Sequence, residues 1–118
     1  WFAEGGWDAS YYSLYENFIA YGQVREGFRV LEMGGWAALD AYALQQGTVD
    51  SLGLYYNNFG ELGGGLRATL RLRHSTSLIC RVEYLGGAYL GVDAEDSRGT
   101  LPENYGDLRI SLSLWSEW

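Results

Sequence analysis

Lysine is absent from this 118-residue chain: the eight basic residues are all Arg, and they face fifteen Asp and Glu for a net charge of -7. That balance excludes an ordinary nucleic-acid binder, which needs a basic excess to neutralise phosphates. One cysteine, Cys80, rules out an internal disulfide, and a single histidine, His74, leaves no credible zinc set. Proline occurs once, at Pro102. No apolar run approaches the roughly 18 residues that a membrane helix needs, so a helical span is excluded. The chain starts at Trp1 and not at an initiating Met, and it carries no signal sequence. That is expected of a processed product or of a piece of something larger.

What is abundant points the other way. The chain holds 17 Gly, 10 Tyr and 5 Trp. Aromatics and glycine with little proline favour strands joined by tight turns over a helical bundle. The clearest stretch is the last. Leu108, Ile110, Leu112 and Leu114 alternate with Arg109, Ser111 and Ser113. A strand turns successive side chains to opposite faces, so this is an apolar face backed by a polar one. The chain then ends on Trp115 and Trp118.

Two earlier stretches repeat the pattern. Leu66, Ala68, Leu70 and Leu72 alternate with Arg67, Thr69, Arg71 and Arg73. Leu78, Cys80, Val82, Tyr84, Ala88 and Leu90 alternate with Ile79, Arg81, Glu83, Leu85 and Tyr89. Cys80 falls on the apolar face, as a packed, inert thiol does. Residues 74–77 make a connection of hairpin length. Residues 92–104 make a long acidic loop, and the spacing of Asp93, Glu95 and Asp96 fits no calcium signature.

Upstream the periodicity is weaker. Residues 1–13 read as a short strand. Residues 14–31 read as a strand, with Phe18, Ala20, Val24 and Phe28 opposite Tyr21, Gln23, Arg25 and Arg29. A helix over 13–21, capped by Ser13 and Glu16, competes there. Gly34-Gly35 is a turn, and residues 47–51 read as the next one. Between them residues 36–46 are good helix formers, so a helix competes there too, but the strand context favours a strand in which Asp40 interrupts Trp36, Ala38, Tyr42 and Leu44. Asn57-Asn58 and Gly63-Gly64-Gly65 mark further turns or bulges.

Together these readings give an all-β, antiparallel up-and-down meander of about 6–8 strands in a single domain over residues 1–118. Strands of 9–11 residues, with short turns at one end and long loops at the other, suit a transmembrane barrel. In that setting Arg67, Arg71, Arg73, Arg81 and Arg109 line a pore, with Glu83 as the one acid among them. Leu66, Leu70, Leu72, Val82, Leu108, Ile110, Leu112 and Leu114 then face lipid. A soluble sheet with one dry face explains the same alternation.

Three segments tilt the balance. They are Asp50-Ser51-Leu52-Gly53-Leu54-Tyr55-Tyr56-Asn57-Asn58 with Glu61-Leu62-Gly63-Gly64-Gly65-Leu66-Arg67, then Glu83-Tyr84-Leu85-Gly86-Gly87-Ala88-Tyr89-Leu90, then Tyr105-Gly106-Asp107-Leu108-Arg109. Their order resembles the C-terminal barrel region of bacterial outer-membrane proteins of the exopolysaccharide-export and phage-adsorption type. The likeness is best over residues 50–110. It implies an outer-membrane barrel, or the C-terminal part of one, that exports polysaccharide or serves as a surface receptor. The expected partners are membrane lipid, an anionic polysaccharide, and further chains or copies that complete the wall. No cofactor, metal or catalytic residue is expected, and His74 with Ser75 and Ser77 is too little for a hydrolase. The competing reading is a secreted β-rich structural subunit, located outside the cell, that assembles through strand edges and aromatic surface.

Overall fold

A computed structural model describes residues 1–14, 16–52, 58–73, 75–90 and 104–116, with the Arg73 side chain outside that set. Six strands follow in chain order: β1 Phe2–Tyr12, β2 Asn17–Met33, β3 Ala37–Asp50, β4 Phe59–Arg73, β5 Thr76–Tyr89 and β6 Asn104–Ser116. Each pairs antiparallel with the next, giving one sheet in the order β1-β2-β3-β4-β5-β6. This is the all-β meander that the alternation predicts. The described residues contain no helix, and β1 and β6 are the two edges.

The competing helix at 13–21 does not form. Ser13 and Glu16 instead build a tight turn, with Glu16 at φ 50° and its N–H donating to Ser13 O at 3.4 Å. Gly34 and Gly35 take φ of 51° and 75°, a left-handed backbone that favours glycine, and they reverse the chain between β2 and β3.

Two expected turns are corrected. Residues 47–51 do not form one: β3 runs on to Asp50, with Gly47 opposite Gly60 and Thr48 opposite Phe59. Ser51 and Leu52 are turn residues, and Asp50 Oδ1 accepts from Leu52 N at 2.9 Å. Gly63-Gly64-Gly65 is neither turn nor bulge but the middle of β4, paired on both sides. The register shifts lie elsewhere, at Arg29/Leu31 and Arg71/Arg73. Residues 53–57, His74, the acidic residues Asp93, Glu95 and Asp96, and Trp118 lie outside the described residues.

The triplet stays in the strand because its neighbours need the space. A Cβ on Gly63 would press into Tyr84 O and come within 2.7 Å of Leu85 Cα. On Gly65 it would meet Val82 O at 2.6 Å and Glu83 Cγ at 2.9 Å. The register sets Leu44 and Leu85 on either side of Gly63, and Tyr42 and Glu83 on either side of Gly65. Small residues thus alternate with large ones across the sheet, and the missing side chains let it curl.

The curl is visible in side-chain contacts between strands that are not neighbours. In a flat sheet β2 and β5 would stand about 14 Å apart. Here Arg25 of β2 meets Glu83 of β5 at 3.2 Å. Phe2 of β1 likewise packs edge-on against Tyr42 of β3, with ring centroids 6.3 Å apart.

The two faces differ in a way that inverts a water-soluble sheet. On the concave face Leu44 and Leu85 are fully buried and Tyr42 nearly so, but Asp40, Gln46, Glu61 and Glu83 are buried beside them. On the convex face Leu66, Leu70, Val82, Leu108, Ile110, Leu112 and Leu114 are all exposed, as is Leu72 at the bulge.

Candidate functional site on the concave face

Because side chains alternate, the pairing register lays the concave face out in cross-strand rows. One row reads Arg29, Asp40, Arg67, Arg81, Ser111 from β2 to β6. The next reads Phe2, Gly27, Tyr42, Gly65, Glu83, Arg109. Then come Glu4, Arg25, Leu44, Gly63, Leu85, Asp107, and after them Gly6, Gln23, Gln46, Glu61, Gly87, Tyr105. Charged residues therefore lie one or two rows apart on a face that folds over itself.

Three acids organise the charges. Asp40, 1 % exposed, accepts from Arg29 Nε and Arg67 Nε, both at 3.0 Å. Arg67 also pairs with Glu4 on β1, and its guanidinium stacks 4.4 Å from the Phe2 ring centroid. Glu83 accepts from Tyr42 Oη at 2.7 Å and from Arg25 Nε at 3.2 Å. Glu61 takes Arg109 Nη2 on both carboxylate oxygens at 2.8 Å, Tyr105 Oη at 2.8 Å, and Gln46 Nε2. A buried carboxylate is tolerable only when its lone pairs are filled by donors of this kind.

The expected pore-lining set is placed as follows. Arg67, Arg81, Glu83 and Arg109 lie on the concave face, in the rows given above. Arg71 is exposed at the end of β4 and donates to Gly35 O at 3.1 Å. The Arg73 side chain lies outside the described residues. The expectation that Glu83 is the one acid among these arginines is corrected, because Glu4, Asp40, Glu61 and Asp107 all form ion pairs there. The surface is consequently a paired network and not a bare cationic one.

Asp40 is the informative omission. Among Trp36, Ala38, Tyr42 and Leu44 it looked like an interruption of an apolar face. Yet Asp40, Gln46, Thr48 and Asp50 share one parity, and Ala37, Leu39, Ala41 and Ala43 the other. Alanine carries too little apolar contrast to make that alternation visible. Glu61 was missed because β4 begins at Phe59, before the glycines and not after them.

The residues are thus set for electrostatic cross-bracing and for contact with polar groups. No cluster of three or more metal-ligating side chains occurs among the described residues. Fold and face together define an open, curled antiparallel meander with a polar concave side and an apolar convex one. No family model, curated protein or solved structure matches the chain.

Proposed function

We propose that this chain is part of the wall of a bacterial outer-membrane β-barrel, with its convex face against lipid and its concave face toward the lumen. The observation that carries the reading is the height of the apolar band. Trp36 stands just before β3 at the short-turn end, and Trp7 is level with Gly22 of β2 and through it with Gly47 of β3. About eleven residues at about 3.3 Å each, tilted by about 40°, span about 28 Å, against about 25 Å for the lipid-facing band of such barrels. Between these levels Glu26 is the single charged side chain of the convex face among the described residues. Trp7 and Trp36 are both exposed, as aromatic girdle residues are.

Of the two activities that the resemblance implies, the geometry favours a surface receptor over a polysaccharide conduit. Ion pairs that join β1 to β4, β2 to β5 and β4 to β6 occupy the hollow of the curl. The positive field of Arg67 and Arg109, expected to draw an anionic polymer, is neutralised by Asp40, Glu4, Glu61 and Asp107. The role proposed is therefore one of display and binding, without catalysis.

The purified protein should float with lipid vesicles on a density gradient and resist extraction by carbonate. A monodisperse species in detergent-free buffer would sink this reading. Among the described residues β1 and β6 each leave one edge unpaired, which favours a second reading, a secreted subunit that assembles edge to edge. Ordered fibres in plain buffer, with no vesicle binding, would select it.

A further inference from the structure

Arg81 differs from the other concave arginines. Arg25, Arg29, Arg67 and Arg109 each have a carboxylate partner. The Nε of Arg81 is buried and meets no hydrogen-bond partner among the described residues. The acids of its own and the next row meet other donors. Both oxygens of Asp40 are held by Arg29 and Arg67, and Glu83 Oε1 receives both Arg25 and Tyr42. Arg81 stands between Arg67 of β4 and Ser111 of β6, with Thr69 opposite Ile79 and Ile79 opposite Ser113 one row further on.

A buried guanidinium nitrogen without a partner is unfavourable unless an acceptor compensates it. The fork of N–H donors on Arg matches two oxygens of one planar or tetrahedral oxyanion, and a serine hydroxyl supplies a further donor. We propose that Arg81, supported by Ser111, forms a binding point for a single oxyanion group, the carboxylate of an acidic sugar or a phosphate. Arg81 supplies the charge and the bidentate contact, and Ser111 the third donor. The arrangement does not depend on whether the convex face meets lipid, so the two ideas can fail separately.

The test is thermal unfolding of the whole protein at fixed ionic strength, with chloride exchanged stepwise for inorganic phosphate or for glucuronate. The wild type should show a saturable rise in Tm with one or both anions, and the stronger of the two identifies the source as phosphate or sugar acid. Arg81→Gln should weaken the apparent affinity at least about tenfold, the loss of a charge-assisted contact. Arg71→Gln removes the same charge from an exposed site and should keep the response. If Arg81→Gln does not fold, Arg81→Lys keeps the charge but loses the fork, and it should also bind more weakly. A wild type indifferent to both anions, or equal responses in wild type and the Arg81 variants, overturns the proposal.

Discussion

Gly63→Ala is expected to destabilise the protein by about 3 kcal/mol or more, at the upper end of overpacking costs. The added methyl has no free volume, since it would press into Tyr84 O and lie 2.7 Å from Leu85 Cα, both backbone atoms of a paired strand. Neither can move without breaking the β4–β5 ladder at the place where Leu44 and Leu85 are fully buried. Gly60→Ala is the matched control, because nothing lies within 4 Å of a Cβ built there. It should cost well under 1 kcal/mol and can be neutral, as Ala loses less backbone entropy than Gly on folding. Unfolding midpoints in urea, compared between the two variants, measure the difference. Equal midpoints would mean that the sheet is flatter at Gly63 than described.

Glu61→Ala should be the most damaging change at a charged position. Its carboxylate is 2 % exposed and holds Arg109, Tyr105 and Gln46 at once. Removing one member of a buried pair costs about 3–5 kcal/mol, chiefly because its partner is left uncompensated. Arg109 is about one-third exposed and can turn partly to solvent and to Asp107, so the lower end of that range is expected. The double variant Glu61→Ala, Arg109→Met should recover part of the loss, because no charge is then stranded. A double variant that loses the sum of the two single effects would show that the residues act independently. It would remove the cross-brace between β4 and β6 from this account.

The strands with large aliphatics were legible from sequence alone. In β6 and the second half of β4, leucines and isoleucine alternate with arginine, serine and threonine, and the contrast survives without any tertiary information. β3 was legible only in outline, because Ala37, Ala41 and Ala43 contrast so little with Asp40 and Gln46. The glycine triplet misled for a different reason. Glycine marks turns when backbone freedom is what matters, but here it marks close approach, and only the register of Leu44 and Leu85 tells the two apart. The cross-bracing was out of reach. Glu61 meets Arg109 only because the sheet curls, and curl is a property of the whole sheet and not of any one strand.

The same curl gives the protein its unusual distribution of chemistry. A soluble sheet buries its leucines and exposes its charges. Here Asp40, Glu61 and Glu83 are buried while Leu108, Ile110, Leu112 and Leu114 are between 64 % and 72 % exposed. An apolar surface of that continuity needs a cover, and the proposed cover is lipid.

Spin labels placed one at a time along 108–114 test that claim most directly. With the protein in lipid vesicles, labels at 108, 110, 112 and 114 should be accessible to oxygen and shielded from a water-soluble nickel chelate. Labels at 109, 111 and 113 should show the reverse, giving a ratio that oscillates with a period of two. A flat profile, or nickel access at 108, 110, 112 and 114, would contradict a lipid-facing convex surface.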